Sequence, residues 1–153
     1  PEPFSNALED LTEQVSAIRE YTAYQQDRLK KLQDGYDWNI IRTFCLRIIR
    51  CIDNLDNRIS SMSEDDVRAT HLGEVMDELV FALESSGIEQ FEPETDSEYR
   101  GQEKCAEAVK EKEECDDPGR AGRIASVIRP GYQYFIDEDS TKVVRPAQVK
   151  LYA

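Results

Sequence analysis

The feature that most constrains this chain is a line of apolar positions near its start. Phe4, Leu8, Leu11, Val15 and Ile18, then Thr22, Gln25, Leu29, Leu32 and Tyr36, alternate in steps of four and three. That spacing is the seam of a coiled-coil helix. Carried on to Ile59, the helix would extend roughly 85 Å at 1.5 Å per residue. A compact chain of this length has a radius of gyration of only about 15 Å, so the remaining residues cannot cover the seam. A second copy is the simplest cover. A homodimer is therefore expected, with Leu8, Leu11, Val15, Ile18, Leu29, Leu32, Ile48, Ile52 and Leu55 in its interface.

The seam has two soft places. Thr22 and Gln25 form a polar layer, and Asp34-Gly35 puts a glycine inside the helix, which costs about 1 kcal/mol relative to alanine. Past Tyr36 the phase shifts to Ile40, Phe44, Ile48, Ile52, Leu55 and Ile59, with Ile41, Leu46 and Ile49 widening the stripe as a bundle requires. Ser60–Ser63 ends this helix. A capping box at Ser63 and Asp66 opens a second helix, expected from about Glu64 to Ser86. Its inward residues are Leu72, Val75, Met76, Leu79, Phe81 and Leu83, and Gly87 is its stop. Two such hairpins, one per copy, would make a four-helix bundle.

From Ile88 onward, proline and glycine punctuate short runs rich in Ile, Val and Tyr. Ile124–Ile128, Tyr132–Ile136, Val143–Arg145 and Gln148–Tyr152 read as strands, with Asp137–Ser140 as a polar turn. Ala106–Lys112 fits helix or strand. The fold class is thus α+β: a dimerisation domain of helices over residues 1–87 and a small all-β domain over 88–153.

Composition excludes several functions. Residues 61–120 hold 19 acids against 6 bases and so carry a charge equal to the whole chain's net −13; a phosphate backbone is not the partner of such a surface. No apolar run would span a bilayer, and no signal-peptide pattern opens the chain. The first residue is Pro1, not Met, as in a trimmed chain. Cys45, Cys51, Cys105 and Cys115 lack metal-ligand spacing, and reduced thiols in the cytoplasm are expected. His71 is the single histidine and reads as helix surface.

A search for converging catalytic groups finds no P-loop, GxGxxG, HExxH or GxSxG. Asp53 and Asp56 stand on adjacent turns as acid–base carboxylates would, but a solvated face beside Arg50 and Arg58 accounts for them. The acidic run Glu111, Glu113, Glu114, Asp116 and Asp117 lacks the ligand order and glycine of a calcium loop. No catalysis, cofactor or metal is expected. What remains is a binding protein.

Three segments make that class specific. Ile49-Arg-Cys-Ile-Asp-Asn-Leu-Asp-Asn-Arg-Ile59 is similar to the "LLPVLDNLERAL" stretch of the GrpE family, the nucleotide exchange factors of DnaK-type heat-shock chaperones. Leu79–Glu89 resembles the end of that family's second bundle helix. Ile128-Arg-Pro-Gly-Tyr132 with Val144-Arg-Pro-Ala-Gln-Val-Lys-Leu151 is like its closing "GY…R.A.V.V" signature. Arg50 replaces the family proline, and Lys104–Val109 is a version of "DPNLHEAV" without the histidine. Asp137–Ser140 reads as a longer hairpin in place of a tight "NG" turn.

The resemblance implies a β domain that leans on a lobe of the chaperone ATPase domain and favours an open cleft from which ADP escapes. It places Ile128, Lys142 and Leu151 at contact positions on the β domain, and Gln26, Asp27 and Arg28 at a second contact on the long helix. Ile128 and Leu151 are also suited to the β core, and Lys142 is expected to be exposed. Melting of the long helices ahead of the bundle would give a heat switch. The alternative is a dimeric coiled-coil scaffold whose β domain holds another protein.

Overall fold

A computed structural model describes residues 2–153. The chain divides into two compact units, Pro1–Thr43 and Phe44–Ala153. The first helix, α1 (Glu2–Ser60), runs through both.

In the first unit α1 carries the expected seam, and its apolar side chains face solvent in the single chain: Ile18 is 64 % and Leu29 65 % exposed. Asp27 and Lys31 pair at 2.9 Å, one turn apart on this open surface; such pairs contribute only a few tenths of a kcal/mol, about 0.3–0.5.

In the second unit the buried line of α1 is Cys45, Ile49 and Ile52. Ile52 stands in the expected phase and Ile49 in the expected widened stripe, but Cys45 is buried in place of the expected Phe44. Phe44 is exposed, while Ile48, Leu55 and Ile59 are half-buried. The helix ends where the Ser60 and Ser61 hydroxyls bond back to the Asp56 and Arg58 carbonyls.

The second helix, α2 (Val67–Ser85), begins three residues later than the expected Glu64. Its cap is Asp66, whose Oδ1 accepts the Arg68 backbone N–H at 2.9 Å, so the carboxylate satisfies one of the helix's open donors. The Arg68 side chain, bonded to the same carboxylate, holds the Asp66 carboxyl below the usual range. Gly87 stops the helix as expected, with φ +84, and donates its N–H to Glu84 O at 3.0 Å. Leu72, Met76, Leu79 and Leu83 are at least half-buried, but Val75 and Phe81 are exposed in the single chain. Phe81 lies two residues from both Leu79 and Leu83, roughly 200° round the helix at 3.6 residues per turn.

The remaining chain forms two three-stranded sheets. One has the order β1 (Ile88–Phe91), β4 (Gly131–Asp137), β5 (Ser140–Arg145), all antiparallel. The other has the order β2 (Ala106–Glu113), β6 (Ala147–Tyr152), β3 (Ile124–Arg129), with β2 parallel to β6. The ambiguous Ala106–Lys112 stretch is therefore strand. Ala106 and Ala108 stand opposite Ala147 and Val149, and a fully buried Ala106 in a core with Ile124 and Val149 overrides its helix propensity. The turn expected to be long is tight: Asp137 faces Ser140, and Asp139 donates its N–H to Asp137 Oδ1 at 3.0 Å.

Pro130 and Pro146 mark two of the three places where the chain crosses between sheets, from β3 to β4 and from β5 to β6; the third is the long loop from β1 to β2. Proline cannot donate to a ladder, so each strand run ends there. Beside the first corner, Gly131 has no room for a side chain. A Cβ there would stand 2.4 Å from Phe91 Cζ and 2.7 Å from the Ala147 backbone nitrogen.

The loop before β2 is pinned by Asp96, a non-glycine residue at φ 63. Its carboxylate accepts from Arg120 Nε at 3.1 Å and its carbonyl from Arg123 Nη1 at 2.7 Å. Arg120 also covers the Tyr152 ring. The hydrogen bond from Arg120 holds the Asp96 carboxyl below the ordinary carboxylate range.

Two outcomes are expected. Gly131→Ala lowers stability by about 1–3 kcal/mol in urea denaturation, and adding Phe91→Ala does not fully restore it, because the clash with the Ala147 backbone remains. A carboxylate depressed on folding stabilises above its unfolded value and loses that contribution as pH falls through its folded value. Stability thus falls as pH drops below the ordinary aspartate value of about 4, and falls less steeply in Asp96→Asn; equal slopes in an acid titration followed by circular dichroism would contradict the Asp96 pin.

Candidate functional site

The charged group that the fold buries is Arg145, at the end of β5 and 9 % exposed. Its partner comes from the second unit's stretch of α1. The Asp53 carboxylate accepts from Arg145 Nη1 in a short bond and from Nη2 at 3.4 Å. Nη2 also donates to the Pro130 carbonyl at 3.1 Å. Below the guanidinium lies the Tyr132 ring, 5.2 Å from Cζ to centroid, a cation–π distance. The Tyr132 hydroxyl accepts from Gln90 Nε2 at 2.6 Å, and burial pushes that phenol above its usual value. Arg145 Nε has no hydrogen-bond partner among the described residues.

One cluster therefore ties α1, β1, β4 and β5 together with the Pro130 corner. A charge-assisted fork of this kind is directional as well as strong. Beside it opens a cleft of about 550 Å³, lined by Ile52 and Asp53 of α1, Met76 and Val80 of α2, and Ile128 and Tyr132 of the sheets. Asp53 is thus not a solvated residue beside Arg50 and Arg58. Among the described residues no group of three His, Cys, Asp or Glu side chains could hold a metal ion, and no helix is long and apolar enough to cross a membrane.

The residues singled out from sequence fall in different settings. Ile128, on β3, is 54 % exposed and lines the cleft. Leu151, on β6, packs against the Ala106, Ile124 and Val149 core. Lys142, on β5 opposite Tyr134, is half-buried. Gln26, Asp27 and Arg28 are exposed on the first unit's stretch of α1. Of the seam residues, Leu8, Leu11, Val15, Ile18, Leu29 and Leu32 are exposed and Ile48 and Leu55 half-buried, whereas Ile52 is 5 % exposed, already covered by its own chain.

A family model described as GrpE matches residues 2–153. The chain belongs to the GrpE family. That family comprises DnaK co-chaperones acting in nucleotide exchange rather than catalytic enzymes, and it implies dimerisation in general terms. No curated protein matches the chain. Two of the three GrpE-like segments meet at one place: Asp53 from the "LDNL" piece, and Tyr132 and Arg145 from the closing "GY…R.A" signature, form the cluster described above. Asp53 and Arg145 both lay within the motifs, but their pairing across the sequence was not apparent from either segment alone.

Removing Asp53 leaves a buried guanidinium without its carboxylate. Asp53→Ala is expected to lower unfolding free energy by about 2–4 kcal/mol, and Asp53→Ala with Arg145→Met to recover most of that loss. Chemical denaturation checks both; a single variant as stable as the parent would contradict the pairing.

Proposed function

We propose that this GrpE-family chain is a nucleotide exchange factor that binds the ATPase domain of a DnaK-type chaperone and speeds release of ADP. The observation that carries the reading is the family match over residues 2–153. The mechanism needs no catalytic group. A factor that binds the open ATPase domain more tightly than the closed one shifts the population towards the open form, and ADP leaves from it.

On this reading residues 88–153 are the contacting β domain and residues 1–87 hold two copies together in the cytoplasm. Ile128 meets the chaperone directly, since its side chain is largely exposed. Leu151, seated on the core, supports the surface from beneath. Lys142 contributes from β5, and Gln26, Asp27 and Arg28 supply the second contact. The second copy covers Leu8, Leu11, Val15, Ile18, Leu29 and Leu32, joined by Ile48 and Leu55 towards the bundle. The polar layer at Thr22 and Gln25, together with Gly35, makes the long helices the first part to melt.

The direct test is release of a fluorescent ADP from a purified DnaK-type chaperone. Addition of the protein should raise the release rate by a factor on the order of 10–100. Lys142→Glu and Ile128→Asp should each lower that stimulation about tenfold, a change of ~1.4 kcal/mol, without altering the oligomeric state. No acceleration by the parent protein would refute the reading and favour a scaffold. Heating should show two helical transitions by circular dichroism; a single cooperative melt would contradict the heat switch.

A further inference from the structure

A factor that works by favouring one shape of its partner has to resist that partner's push. If the sheets could swivel on α1, the contact surface would follow the closed ATPase domain as readily as the open one, and binding would shift nothing. The fold must therefore lock the sheets to the helix. A cleft of about 550 Å³ lies between α1, α2 and the sheets beside their junction, and a directional polar contact next to it adds an angular restraint that apolar packing lacks.

We infer that the Asp53–Arg145 fork is the rigid joint that sets the angle of the sheets on α1, making these two positioning residues for the exchange reaction; this rests on the exchange-factor reading above. Arg145 immediately precedes Pro146, the second sheet-to-sheet corner, and its Nη2 holds the carbonyl of Pro130, the first corner. The same guanidinium grips Asp53 on α1 at two points and lies on the Tyr132 ring. One side chain thus braces both corners against the helix. A planar fork fixes direction as well as distance, which a lysine ammonium does not. Ile128 stands two residues before the braced Pro130 corner and lines the cleft, so the joint aims the side chain assigned to the chaperone contact.

Arg145→Lys and Asp53→Asn test this on the intact chain. Each should lower the maximal ADP-release rate at saturating protein about tenfold, with the half-saturating concentration changed by less than about twofold, and Asp53→Glu should recover more of the rate than Asp53→Asn. A purely structural pair would leave the maximal rate of the folded variants unchanged. A second readout is independent of exchange. Spin labels on Cys51, exposed on α1, and on Glu138→Cys at the hairpin tip, with the other cysteines replaced by serine and the sample diluted in unlabelled protein, should give one narrow intrachain distance. Arg145→Lys should broaden it. An unchanged width, an unchanged maximal rate, or failure of both variants to fold would overturn the joint. A broadened distance with a parent protein that releases no ADP would uphold the joint and refute the exchange reading instead.

Discussion

From Phe4 to Tyr36, the apolar side chains that define the seam of α1 stand in water in a single chain. Leaving a large aliphatic side chain exposed forfeits about 1.5–3 kcal/mol relative to burial, and the seam repeats that loss along its length except at the polar layer of Thr22 and Gln25. Among the described residues of the first unit nothing covers it, since they are helix alone. The α1 seam is therefore a constraint on assembly before it is a feature of shape. It also divides the helix into two roles: an open line in the first unit, and a line at Cys45, Ile49 and Ile52 that the second unit buries for itself.

The second unit is built to be stiff where it meets α1. Two prolines turn the chain from sheet to sheet, and a glycine allows Phe91 and the Ala147 backbone to close on the first of those turns. Arg145 then ties the corner to Asp53. Burying a guanidinium is costly unless its donors are used, and here the Asp53 carboxylate, the Pro130 carbonyl and the Tyr132 ring share it while Nε goes without a hydrogen-bond partner among the described residues. An apolar contact would tolerate sliding; this cluster does not. Rigidity at that point suits a family whose members act on the nucleotide state of a chaperone rather than on a substrate of their own.

How far the fold was legible depended on how local each signal was. The long first helix, the glycine stop at Gly87 and the four strands between Ile124 and Tyr152 are patterns within a few residues, and they stand in the structure. Burial of Cys45 in place of Phe44 does not follow from the spacing, because it is set by which face of this stretch of α1 the rest of the second unit covers. Ala106–Glu113 is strand only through its pairing with β6, some 40 residues on. Helix periodicity also places Phe81 outside the buried stripe of α2, although its bulk favoured the core. The Asp53–Arg145 pair, 92 residues apart, was hidden for the same reason: each looked like an ordinary charge until the fold joined them.

Sedimentation equilibrium of the intact chain tests the central claim most directly, that the α1 seam needs a second copy. The account requires a species of twice the 17.6 kDa chain mass at micromolar concentration, reverting towards the single chain when Leu11→Asp and Ile18→Asp place charges in the seam. A single 17.6 kDa species at every concentration, unaffected by those two changes, would contradict it.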